Sequence, residues 1–403
     1  MNAFGRAVVV AICLLAVACE GDGQGSDGSS QPITTISVVG DSEGELNLLA
    51  FAGYAEDGTS DPDYDWVHPF ERTTGCDVHV RYVDSGAEIV RQLSREGDQV
   101  YDGASVPGDV SGLLIASRTV AAVVPSLFRH LYEVLTPLRE SNAAHYVVDG
   151  HAFGTPALYG PNLLLYDTRR FSEAPTSWAS VFEPRAESAG KVAMIDSPMT
   201  IADAALYLAA HEHDLGITDP YELTPAQLDA ATELLREQEP EVGLYWTSFT
   251  DLIDGFRDGD VVVGQGSPIA LSLLQLDEGT FNAVAPDEGM TGWADTWMLA
   301  ADAPHPNCMI RWMRWTLTPD VQAEMSLWYG GAPSNAKACN VIRRRLGDFA
   351  HLVDTLRFGR CGDEAFLSSL ALWRVPTVAC GDARGAVCAG YPAWLLRWGS
   401  LRD

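Results

Sequence analysis

Along most of this 403-residue chain, short apolar runs of strand character alternate with helical segments that carry their own start signals. That alternation restricts the fold to layered α/β architectures with largely parallel sheets. Residues 46–51 (LNLLAF) form one apolar run, and residues 78–83 (VHVRYV) alternate like a half-buried strand. Ser85 then opens a helix, with Glu88 three positions on as in a capping box and Ile89, Val90 and Leu93 as its apolar face. Residues 101–106 and 192–195 read as further strands, each followed by a helix, over 108–117 and 201–210. Thr224-Pro225-Ala226-Gln227 and Thr318-Pro319 mark helix starts by a Thr cap and a Pro in the first turn. No internal repeat is visible. The length and a 47% hydrophobic content suffice for two cores.

The N-terminus is of another kind. After Arg6, residues 7–18 (AVVVAICLLAVA) are apolar, but the run is shorter than the roughly 20 residues a spanning helix needs. A basic start, an apolar stretch and small residues describe a secretory signal over residues 1–18. The run ends Leu15-Ala16-Val17-Ala18-Cys19, which resembles the lipobox of bacterial lipoproteins, with Ala16 where Leu is usual. The resemblance implies lipidation of Cys19 and an extracytoplasmic, membrane-anchored protein, with simple secretion as the alternative. Residues 19–44, rich in Gly, Ser and acids, read as a flexible tether.

Beyond Cys13 and Cys19, six cysteines remain: Cys76, Cys308, Cys339, Cys361, Cys380 and Cys388. An even number in an exported chain points to disulfides, and proximity favours Cys380–Cys388. None has C-x-x-C spacing, so no metal site and no thioredoxin-like chemistry is expected. With 55 acidic and 26 basic residues the formal charge is −29, the opposite of a nucleic-acid footprint. An acidic surface attracts cationic solutes, although solubility alone also accounts for it.

Several motifs resemble those of periplasmic solute-binding proteins. Phe70-Glu71-x-Thr73-Thr74-Gly75-Cys76-Asp77-Val78 resembles their F-E-x-x-T-G-x-x-V segment, and Tyr101-Asp102 their lead into a third strand. Ala152-Phe153-Gly154-Thr155-Pro156, Asn162 to Tyr166 and Pro175-Thr176-Ser177-Trp178 resemble the crossover into the second lobe, and RWMRWTLTPDVQ, residues 311–322, a late helical motif. Thr291-Gly292-Trp293-Ala294-Asp295-Thr296 is similar to the spermidine/putrescine-binding branch. The resemblance implies the type II fold: two α/β lobes, with the ligand in the cleft and closure by a hinge. It places lobe 1 at 45–160 with a return at 289–345, and lobe 2 at 161–288. Residues 346–403 are then expected to pack on lobe 2 under disulfide staples. It implies a monomer that delivers a small cationic or zwitterionic amine to the permease subunits of an ABC importer, touches the membrane only through its lipid, and uses no cofactor.

A polyamine needs carboxylates for its ammonium groups and aromatic walls for its methylenes. Phe51 and Tyr54 match the branch's aromatic pair; packing at a lobe edge is the alternative. Trp293 and Asp295, two apart on an extended segment, face the same way; a turn-capping Asp beside a core Trp is the alternative. Asp196 matches a second-lobe acid, or else caps the next helix. Asp109, Tyr159 and Trp246 are further candidates, with capping or packing as alternatives. Gln265 stands in a segment where the branch has a Trp, Met199 where it often has a Glu, and Arg374 where it can have a Gln. Losing an acid and gaining a base turns the expectation from a long polycation to a short diamine. The other course is a zwitterion such as γ-aminobutyrate, with its carboxylate on Arg374, unless Arg374 merely pairs with a surface acid.

Catalytic readings are weaker. His211-Glu212-His213 lacks the spacing of a helical metal pair. Ser334-Asn335-Ala336-Lys337 fits S-x-x-K, but S-D-N and K-T-G are absent. No G-x-S-x-G, Walker A or Rossmann glycine set occurs, so the expectation is a receptor rather than an enzyme or an ATPase.

Overall fold

The computed structural model of the protein describes residues 33–94, 99–140, 145–183, 186, 188–276, 279–380 and 387–402. The main strands in chain order are β1 (Glu45–Ala50), β2 (Asp77–Tyr82), β3 (Gly103–Pro107), β4 (Gly154–Pro161), β5 (Leu163–Asp167), β6 (Val192–Ile195), β7 (Val242–Trp246), β8 (Val263–Gly266), β9 (Phe281–Val284), β10 (Met290–Leu299), β11 (Ala332–Pro333) and β12 (Leu370–Leu372). Each predicted strand lies within a residue or two of its observed bounds.

Two sheets result. The first runs β11-β4-β10-β3-β1-β2, with β12 alongside β10; the second runs β7-β6-β8-β5-β9. Within them β1, β2 and β3 are parallel, as are β6, β7 and β8, while β10 and β5 run antiparallel to their main neighbours. The chain passes from the first sheet to the second at Asn162 and back between β9 and β10. The two crossings are stitched together where Asn162 donates its N–H to the Thr291 carbonyl at 2.9 Å. The Pro-Thr-Ser-Trp motif anchors the second crossing: Trp178 Nε1 donates to the Gly289 carbonyl, and the Ser177 hydroxyl bonds the Glu288 carboxylate. Buried Asp102 accepts backbone N–H bonds from Asn47 and His305, locking β1 to the start of helix Pro306–Thr316.

The helix starts hold with two adjustments. Thr224 and Gln227 form the full capping box. Ser85 caps the Glu88 N–H, but the Glu88 carboxylate turns to Arg81 and Arg91 instead of closing the box. At Thr318 the hydroxyl donates back to the Trp315 carbonyl, so helix Pro319–Tyr329 starts on its proline without a side-chain cap.

Cysteines pair as Cys76–Cys308, Cys339–Cys361 and the expected Cys380–Cys388. The second pair bears on the C-terminal region. Residues 347–368 are stapled beside helix Ala338–Leu346, and Leu370 joins the first sheet opposite Met290. The last part, helix Tyr391–Arg402, packs on the second lobe against helix Pro225–Gln238, and so does Leu356–Phe358, against helix Pro268–Leu274. The region expected wholly on lobe 2 is thus divided. Of the expected tether, the described residues 33–44 are docked rather than loose. Thr35–Ile36 pairs with Ala122–Val123, and Glu43 accepts the N–H groups of Asn307 and Cys308 at a helix start.

Candidate functional site

Strand β10 has no exposed residue along its ten positions. A strand so placed is expected to be nearly all aliphatic, yet it carries Thr291, Asp295 and Thr296. Pairing with β3 and β4 sets Asp295 opposite Pro107 and Trp293 opposite Gly160. The Asp295 carboxylate accepts the Tyr54 hydroxyl. The Tyr54 ring lies 4.9 Å from that of Tyr329 and 6.3 Å from that of Phe51, and Trp293 stands edge-on to Tyr329 at 6.0 Å. Phe51, Tyr54, Trp293 and Asp295 therefore meet as expected.

Two glycines make room for these rings. Gly53 has φ +91°, and a Cβ there would fall 2.8 Å from Tyr329; a Cβ on Gly160 would fall 2.7 Å from the Trp293 indole. The second lobe contributes Phe249, whose ring is 6.5 Å from that of Tyr329 and 5.5 Å from that of Trp246. A chain of aromatic rings thus runs from lobe to lobe, with Trp246 at its far end, held by its own N–H on the Gln265 carbonyl.

The electrostatics are lopsided. Burial pushes Asp295 up to about 7; the Tyr54 hydrogen bond opposes the shift and the Asp109 charge adds to it. Burial also pushes Asp109 up to about 6, and its Oδ1 is buried with no hydrogen-bond partner among the described residues. Tyr54 and Tyr329 are raised too, first by burial and then by Asp295. His145 offers no compensating charge: burial holds it down to about 4, and it bonds the Ser111 hydroxyl at 2.8 Å. Trp293 and Trp373 keep buried indole N–H groups without partners among the described residues. The arrangement is a pair of uncompensated carboxylates walled by rings, which favours a desolvated cation.

Other candidates lie elsewhere or act differently. Asp196 is taken by the last helix, through Trp398 Nε1 at 3.3 Å and Arg402 at 3.4 Å. Arg374 bonds Asp219 and Glu222 and lies over the Tyr221 ring, so the surface-pair alternative holds and its guanidinium is already engaged. Tyr159 stands opposite Ala294 and points away from Trp293, toward Gly359 and Asp363. Gln265 holds the second lobe together: its Oε1 accepts the Ile195 N–H and its Nε2 donates to Asp203. Met199 is buried core. The sequence reading missed Tyr329, Phe249, His145 and Asp203. Only Asp203 left a signal, as an acid among Ile201, Ala202, Ala204 and Ala205. Among the described residues no group of three or more His, Cys, Asp or Glu is placed to hold a metal ion.

A sequence profile of bacterial extracellular solute-binding proteins matches residues 65–341, more than half of the chain. The protein belongs to that family. A putrescine/agmatine-binding protein of Pseudomonas aeruginosa is 26% identical over 308 residues, covering 70% of this solute-binding protein and 79% of the relative. Among solved structures, a putative spermidine/putrescine ABC transporter protein from Listeria monocytogenes superposes with a TM-score of 0.66 at 17% identity, covering 89% of this chain and 98% of that one. A lipoprotein of Treponema pallidum gives 0.67 at 15% identity, covering 89% and 99%. These likenesses establish the two-lobed fold. Among the described residues no helix is long and apolar enough to cross a membrane, and Cys19 lies outside them.

Proposed function

We propose that this solute-binding protein captures a short diamine of the putrescine class between its lobes and delivers it to the permease subunits of a polyamine-type ABC importer. One observation carries the reading: Asp295 and Asp109 are buried close enough to repel each other, with no cation paired to them among the described residues and aromatic rings beside Asp295. Two carboxylates suit two ammonium groups, and the rings suit the methylenes between. The putrescine/agmatine-binding relative supports the same class of solute. Arg374, engaged by Asp219 and Glu222, argues for the diamine over the γ-aminobutyrate alternative. The protein binds without turnover. It acts as a monomer, held to the membrane by a lipid on Cys19.

Thermal unfolding of the mature protein with putrescine, spermidine, γ-aminobutyrate and common amino acids tests the reading. Putrescine should raise the midpoint most, because a ligand selective for the folded state adds about 2.7 kcal/mol at a hundredfold its dissociation constant. The compound should be recovered unchanged. A panel in which only zwitterions stabilise would move the site to other residues. Release of a Cys19→Ala variant from the membrane fraction checks the anchor.

A further inference from the structure

The chain carries 55 acidic against 26 basic residues, so three arginines gathered around one cavity call for an explanation. The cavity, of about 650 Å³, lies on the first lobe, away from the aromatic cluster. Its lining includes Arg129, Arg311, Arg314, His130, Ser126 and Trp315. Among the described residues none of the three arginines has an ion-pair partner. Arg314 Nε donates to the Leu127 carbonyl at 2.7 Å, Arg311 Nη2 to the Gly40 carbonyl at 2.9 Å, and Arg129 Nε to His130 Nε2 at 2.9 Å. Arg311 Nη1 is buried and has no partner among the described residues. Glu133, beside His130, is committed elsewhere: it accepts from His130 Nδ1 at 2.8 Å and from Lys337 Nζ at 2.7 Å. Burial, and then the Arg311 charge, lower the pKa of Arg314.

Helix ends do not balance this charge. The last turns of helices Val67–Thr74 and Pro306–Thr316 meet here, and each supplies about half an elementary negative charge. Part of the first is already spent, because the Gly75 N–H donates to the Glu71 carbonyl. Three guanidinium groups against that leave a net surplus. A partly buried positive surplus of guanidinium groups matches the double charge of a phosphate group, which such groups bind in bidentate fashion.

We propose that this cavity is an oxyanion site for a phosphate group, either free inorganic phosphate or the phosphate of a lipid headgroup. The headgroup source gains from position: Gly40, bonded by Arg311, belongs to the leading segment that joins the lobe at this cavity. The proposal does not depend on the diamine reading, because no residue is shared between the two sites.

The test compares thermal midpoints of the mature protein in inorganic phosphate and in chloride at equal ionic strength. Phosphate at ten times its dissociation constant should raise the midpoint by about 2 °C. Arg311→Gln and Arg129→Gln should each remove most of the gain. Arg129 is exposed, so that variant keeps the test alive if Arg311→Gln folds poorly. Co-sedimentation of the Cys19→Ala protein with vesicles separates the sources. Binding to phosphatidylglycerol vesicles but not phosphatidylcholine vesicles, competed by phosphate, assigns a headgroup; a phosphate effect without vesicle binding assigns the free ion. Equal midpoints in phosphate and chloride, or a gain undiminished in both variants, overturns the proposal.

Discussion

Asp203 and Asp295 are both buried carboxylates, and burial pushes both up to about 7. Their surroundings differ. Each oxygen of Asp203 accepts a 2.7 Å hydrogen bond, one from Thr291 Oγ1 and one from Gln265 Nε2; Thr291 in turn accepts from Asn162 Nδ2. That network spans both crossing strands. Among the described residues Asp295 has Tyr54 alone, and its neighbour Asp109 has an oxygen without a partner. The first acid is satisfied by the protein and holds the hinge region together. The second, in the function proposed above, is left for the ligand. Equal burial and an equal shift thus mark opposite roles, and the hydrogen-bond inventory tells them apart.

The sharpest way to break this contrast is to exchange the defects. Asp295→Asn should weaken putrescine binding at least a hundredfold, about 2.8 kcal/mol, and leave the ligand-free midpoint unchanged or higher. Asp203→Ala, which strands the Thr291 and Gln265 donors, should cost about 3 kcal/mol of stability in urea unfolding, with the folded fraction still binding. If both variants lose stability equally, the two acids do not have separate roles.

Acidity sharpens the contrast further. Asp295, Asp109 and Asp203 have folded-state pKa values of about 7, 6 and 7, against about 4 in the unfolded chain. Between those limits the folded state holds protons that the unfolded chain has released, so stability falls as pH rises from about 4 to about 7. Putrescine binding runs the other way, since it needs ionised carboxylates and should weaken as pH drops below about 7. A ligand-free midpoint that climbs over this range, or an affinity that ignores pH, contradicts the assignment. In Asp295→Asn the stability slope should shrink but persist, because Asp203 and Asp109 still titrate.

The smallest effect is steric. Gly160→Ala places a Cβ against the Trp293 ring without touching either charge. We expect a loss of about 1 kcal/mol in stability and a severalfold weaker affinity by titration calorimetry. An unchanged affinity would make Trp293 a packing residue and leave the carboxylates to carry recognition alone.

Much of the fold was legible in local pattern. Alternation of short strands and capped helices placed the elements to within a residue or two, and two-residue spacing on a strand put Trp293 and Asp295 together. Close spacing paired Cys380 with Cys388. Long-range matters were not legible. Asp196 ends a strand as expected, but Arg402, at the far end of the chain, takes its carboxylate. Arg374 resembles a ligand group until Asp219 and Glu222 are seen beside it. Tyr329 closes a helix and looks like ordinary amphipathic packing, yet it sits at the centre of the ring cluster.

The sequence by itself determined the family, the elements and the facing of neighbouring side chains, because periodicity and capping act over a few residues. Only the tertiary structure decided which charges are neutralised and which are left open, because a buried charge is answered by whatever distant segment the fold brings within a few ångströms.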